Sequence, residues 1–356
     1  MNTPQEPTGA LGGPQRRLDE NAPPAGGPTR RSVLAVIAGG FGLTATATAR
    51  RALASPLAPF SPRRSAASTW DLTAGASTYT FGDGATVPFC RYTPAAPGGL
   101  RGMLPYAEAT EGTPMTVSVT NTLPVPMRPA ILGVENGPWL RPGTSGSFTF
   151  NMPPAGTYLL GTAPARRRPA TAPMGASDAA RPTNGLSGTL VSRPASGAQV
   201  LYDGGPAYDR EFVLLYDDAD DRRNALMGSR IALPTEPYEA NYFTLNGLGF
   251  PDIAGDADTV VAAALGERVL LRLGNLGRTR QSVHFHGFHC NVATFNNMPE
   301  THFGEKDTVQ VASGTTTDVI FTANQLGSYP LHPHNVQAVT ANGAYPYGQL
   351  TLIVIS

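Results

Sequence analysis

The chain has 356 residues, 41% hydrophobic and 15% charged, and its 26 basic residues balance 26 acidic ones for a formal net charge of zero. It is long enough for two buried cores, and the balanced charge gives no electrostatic argument for nucleic acid or an acidic membrane as a partner. The 40 glycines and 34 prolines supply many turns without reaching the composition of a disordered chain, which favours an all-β architecture.

Residues 1–28 form a polar, Pro-rich leader. Arg30 and Arg31 then open the run "TRRSVLAVIAGGFGLTATATA", and "ALA" at 52–54 offers a small-residue cleavage site before Ser55. Residues 1–54 thus resemble a twin-arginine export signal and predict a periplasmic or secreted protein that folds, and takes up any cofactor, before leaving the cytoplasm. A single membrane anchor is the alternative. The run is glycine-rich and short of the ~20 residues that a span prefers, so no stable span is expected after cleavage. Cys90 and Cys290 are the only cysteines; they read either as one bridge or as two small buried hydrophobes.

Beyond the leader the signals are strands and turns. "MTVSVTN" alternates Met115, Val117 and Val119 against Thr116, Ser118 and Thr120, the mark of a half-buried strand. "ERVLLRLGN", "TDVIFTA" and the terminal "QLTLIVIS" read likewise. Residues 164–185, with three successive arginines, read as a long polar loop.

The chain also repeats itself. "GTSGSFTFNMPPAGTYLLGTA" from Gly143 lies without a gap on "GTTTDVIFTANQLGSYPLHPH" from Gly314, matching Phe150 to Phe321, Gly156 to Gly327 and Tyr158 to Tyr329. A second block, Asn121 to Gly133, matches Asn275 to Gly287 at a constant offset. Two copies of one β domain are predicted, at 68–195 and 205–356. All 6 histidines fall between 284 and 334, so any imidazole site belongs to the second copy. His284 and His286 stand opposite Ala130 and Leu132, and His332 and His334 opposite Gly161 and Ala163. Residues two apart on a strand share a face, so the two pairs form a candidate cluster for copper or zinc. The open alternative is an unmetallated polar pocket. His289 and His302 stand outside the pairs, though either could complete a coordination shell.

The order and spacing of "REFVLLYDD", "YFTLNGLGFPD", "GERVLLRLGNLG", "HFHG", "EKDTVQV" and "GSYPLHPH" resemble a two-domain multicopper oxidase built from cupredoxin (plastocyanin-like) sandwiches. The resemblance implies two tandem Greek-key β-sandwiches and copper chemistry. In that family HxxHxHG gives a type-1 copper histidine and two cluster histidines; here "QSVHFHG" keeps His284 and His286 and puts Gln281 in the first place. The family's HCHxxxH becomes "HPHNVQA", which keeps His332 and His334 but puts Pro333 and Ala338 at the type-1 cysteine and histidine. The first-domain pairs are absent as well.

The resemblance therefore implies an exported protein that holds one copper, or a reduced cluster, through His284, His286, His332 and His334. Its oxidoreductase activity would be reduced or altered, toward a small-molecule or metal-ion substrate, and no catalytic residue is assigned. The alternative is a non-catalytic binding or structural protein with relic histidines. Zinc-dependent hydrolysis lacks a general base at a defined spacing. A homotrimer is the assembly the resemblance suggests, and the missing first-domain ligands weaken the reason for it.

Overall fold

A computed structural model describes residues 69–96, 99–163, 185–226 and 236–356. The export-like segment and residues 164–184 of the predicted polar loop lie outside the described residues. The first part of the chain forms β1 (Thr69–Thr80), β2 (Thr86–Pro94), β3 (Leu100–Arg101), β4 (Leu104–Thr110), β5 (Pro114–Asn121), β6 (Pro129–Ile131), β7 (Glu135–Asn136), β8 (Ser145–Asn151), β9 (Gly156–Thr162) and β10 (Gly188–Arg193). These strands make two sheets, ordered β2-β1-β5-β8 and β3-β4-β10-β9-β6-β7.

The second part forms β11 (Arg210–Ala219), α1 (Asp221–Asn224), β12 (Tyr242–Leu245), α2 (Asp252–Gly255), β13 (Val261–Ala263), β14 (Arg268–Asn275), β15 (Gln281–Phe285) and β16 (Cys290–Phe295). It continues with β17 (Met298–Pro299), β18 (Glu305–Lys306), β19 (Thr308–Val311), β20 (Thr315–Thr322), β21 (Gly327–Pro333) and β22 (Thr351–Ile355). One sheet runs β12-β11-β14-β20-β16-β17, with β18 on β16, and the other β13-β22-β21-β15-β19. Two all-β sandwiches result.

Alternation builds each core. On β5, Met115, Val117 and Val119 are buried with Trp70 and Leu72 of β1 and Leu160 and Leu190 of the facing sheet. The Thr116 and Thr149 hydroxyls pair on the outer side. The second core gathers Leu271, Leu273, Val283, Phe285, Val319, Phe321 and Leu331. The same register recurs in both sandwiches: β6 pairs Ala130 with Gly161, and β15 pairs His284 with His332.

One expectation needs correction. β22 is buried throughout, and β14 and β20 are not half-buried either; all of β14 after Arg268 is buried, as is β20 from Thr316 to Phe321. The outer face of β14 and β20 is covered by the first sandwich. Leu104 and Leu159 join Leu215 with Leu132 and Leu276 around them, and Tyr106 and Val191 meet Val213. The Asn297 carboxamide clasps β9, accepting from Thr157 N–H at 2.7 Å and donating to Thr157 O at 2.9 Å.

The same junction buries charge. Asp217 on β11 accepts from the Ser187 hydroxyl at 2.7 Å. Burial pushes its carboxyl up to about 7, and the Ser187 hydrogen bond offsets this less than fully while neighbouring Asp218 adds to the rise. A carboxyl whose folded pKa exceeds its unfolded value of about 3.9 favours the fold at acid pH and loses that contribution as pH climbs through the folded value. At about 1.36 kcal/mol per unit the loss between pH 4 and 7 reaches at most about 4 kcal/mol. Asp217→Asn should flatten this fall, as read by urea unfolding across that range; an unchanged slope would refute the assignment.

Candidate metal centre

The histidines are carried on the outer face of one sheet because the apolar residues between them claim the core. On β15, Gln281, Val283 and Phe285 are buried, while His284 lies on the opposite face and is only partly covered. On β21, Leu331 and Pro333 point inward and His332 outward. His286 follows β15 directly, and His334 follows β21 and is exposed.

Proline is tolerated at 333 for a backbone reason. The ladder bonds His334 N–H to Ser282 O, at 2.7 Å, and His286 N–H to Pro330 O, at 3.1 Å. They leave the intervening Val283–Pro333 pair in a non-hydrogen-bonded position, so β15 requires no donor from Pro333. On the other side, β22 stops pairing at Leu331.

All four predicted ligands come together. His284 and His334 have ring centroids 4.4 Å apart, His284 and His286 4.7 Å, His286 and His332 5.1 Å, and His332 and His334 6.0 Å. The closest approach of donors is His286 Nε2 to His332 Nε2, 3.0 Å. His332 Nδ1 lies 3.0 Å from the Pro333 carbonyl, which only accepts, so Nδ1 holds the ring proton and Nε2 is bare. His286 Nε2–H therefore donates to it.

Burial pushes His286 down to about 4, with His332, His284 and His334 adding to the fall. Burial also lowers His332 and His284, reinforced at His284 by His334. All three imidazoles are neutral at pH 7, the form that ligates metal.

Nitrogens bound to one ion at about 2.0–2.1 Å, at angles from square to tetrahedral, lie about 3 Å apart, which is the His286–His332 spacing. The donor set fits copper, with two nitrogens already placed. Among the described residues, however, no three His, Cys, Asp or Glu side chains converge as they stand.

The type-1 positions are occupied by other chemistry. Gln281 is fully buried, its Nε2 donating to Thr279 O at 3.2 Å and its Oε1 without a partner. Ala338 is fully buried. Cys290 is free and buried, its thiol donating to Lys306 O at 3.3 Å and pushed up to about 12 by burial. Cys90 is also free, in the other sandwich's core, so the bridge reading is set aside. His289 stands apart from the cluster, in an open groove of about 570 Å³ with Asn291, Glu300 and Glu305. His302 is exposed.

Sequence reasoning passed over Asp307 and Thr308, which hold His284. The only signal for them was the alternating segment "EKDTVQV", which sets Thr308 two residues from Gln310 on one strand face.

Residues 233–345 match the family model of multicopper oxidases. No curated protein matches the sequence. Among solved structures, the multicopper oxidase mgLAC is similar at a TM-score of 0.62 and 21% identity, over 81% of this chain and 86% of that one. The blue copper oxidase from Nitrosomonas europaea also reaches 0.62, at 19% identity over 81% and 85%. A copper nitrite reductase from Nitrosomonas europaea gives 0.56, at 15% identity over 81% and 93%. At these identities the likeness establishes the fold. The chain has the two-sandwich cupredoxin fold of these structures, and the stretch that matches the multicopper oxidase model is its histidine-bearing part.

Proposed function

We propose that this protein binds copper through His284, His286, His332 and His334 and is an oxidoreductase of reduced or altered activity without a type-1 centre. The observation that carries this reading is the cluster itself: four imidazoles, three of them held neutral, with two Nε2 atoms 3.0 Å apart. Bound copper would supply a one-electron redox centre. The protein's part is to present imidazole nitrogens on a rigid sheet, with the His286 ring proton moving from Nε2 to Nδ1 when a metal binds, and with His334 exposed so that a small-molecule or metal-ion donor can approach. Zinc is the second metal this donor set accepts. Export by the twin-arginine route belongs to the same proposal, resting on Arg30, Arg31 and the apolar run. No helix of the described residues is long and apolar enough to cross a membrane.

A non-catalytic reading has one observation in its favour. The first sandwich fills the corresponding places with Ala130, Leu132, Gly161 and Ala163, and Leu132 packs into the junction with Leu276, so its equivalent positions carry no metal donor. Copper loading followed by absorption spectroscopy and oxygen uptake with a phenol separates the readings. The expected result is bound copper with no intense thiolate band and at most slow uptake. A strong thiolate charge-transfer band would refute the absence of a type-1 centre and implicate Cys290. Bound copper with no uptake selects the binding protein.

A further inference from the structure

Within the cluster, His284 differs from the other three in having its second nitrogen held from a neighbouring strand. Nδ1 lies 3.1 Å from the Asp307 carbonyl and 2.9 Å from Thr308 Oγ1. These contacts follow from register, since β15 and β19 pair His284 with Thr308 directly. The Asp307 carbonyl cannot drift, because it also accepts the Phe285 N–H at 2.8 Å. Its carboxylate stands 4.0 Å from the same Nδ1.

The two acceptors settle the tautomer differently. A hydroxyl can donate or accept, whereas a carbonyl only accepts. A contact between Nδ1 and the Asp307 carbonyl therefore requires the proton on Nδ1, and Thr308 Oγ1 then shares that proton as a second acceptor. Nε2 is left bare. We propose that Thr308, with the Asp307 carbonyl, is a positioning residue that fixes His284 as its Nδ1–H tautomer and presents Nε2 to a metal ion.

The inference rests on the copper reading for its purpose, but its geometry can be tested without metal. In metal-free protein labelled with 15N at histidine, the ring shifts of His284 should report protonated Nδ1 and bare Nε2. The Nε2–H tautomer would overturn the proposal. With copper alone as the probe, Thr308→Val should weaken binding about tenfold, the low end for loss of a partner that orients a ligand. It should also alter the nitrogen hyperfine pattern in electron paramagnetic resonance. Valine suits a strand, so the fold is retained, and unchanged thermal unfolding confirms it. Thr308→Ser, which keeps the hydroxyl, should restore wild-type affinity and spectrum.

Equal affinity in wild type and Thr308→Val would overturn the positioning role. So would a Thr308→Ser variant as weak as Thr308→Val. If the wild type takes up no copper, the metal reading fails, and the nitrogen shifts still decide the tautomer.

Discussion

Arg272→Ala should destabilise the protein by about 3–5 kcal/mol, the range for removing one partner of a buried ion pair. Arg272 is fully buried at the junction of the two sandwiches. It donates through Nε to Glu211 Oε1 and through Nη1 to the Thr157 hydroxyl at 2.9 Å, and it stands 3.9 Å from Asp318 Oδ2. Glu211 also receives two bonds from Arg193, at 2.8 and 2.7 Å, and Arg193 bonds Glu108 as well. Burial alone would raise Glu211, yet the Arg272 and Arg193 guanidiniums hold it at about 2.

Removing Arg272 leaves Glu211 with one counter-charge and Asp318, which burial already pushes up, with none. The cost arises from stranded carboxylates, since the native pairing itself does little more than offset desolvation. Urea unfolding of Arg272→Ala beside the wild type measures it. A loss below about 1 kcal/mol would show that water reaches the junction and that the network is a surface feature.

The second large effect concerns metal. His286→Ala or His332→Ala should each weaken copper binding by about 100-fold or more, because even partners that only orient a ligand contribute about 10–100-fold. These two rings supply the pair of nitrogens already at bonding separation, so neither loss can be covered by a small adjustment. His302→Ala, at an exposed position, should leave affinity unchanged. Competition titration with a copper chelator resolves the three variants. Equal retention by all three would remove the cluster as the binding site.

Much of this molecule is written in local patterns. Period-two alternation marks Met115, Val117 and Val119 as core, and the same period places His284 and His286, and His332 and His334, on one side of their strands. The internal repeat carries further, since it anticipates that Ala130 and Gly161 pair as His284 and His332 do. What stayed illegible depends on partners far away in the chain. Arg272 looks like the polar, outward residue of "VLLRLGN", but its outward face is the junction, and its partner Thr157 is 115 residues distant. Asp217 reads as a strand-end carboxylate until Ser187 and the covering sandwich are in place. Thr308 has no feature of its own; only the register of β15 against β19 puts its hydroxyl on an imidazole.

The central claim is that four histidines of the second sandwich hold copper through nitrogen alone. Its most direct test is the copper content of dialysed wild-type protein beside the variant with His284, His286, His332 and His334 all changed to alanine, with electron paramagnetic resonance on each. The account predicts copper retained by the wild type, with hyperfine structure from nitrogen ligands, and none retained by the variant although it folds. Copper retained equally by both, or a wild type that retains none, would contradict it.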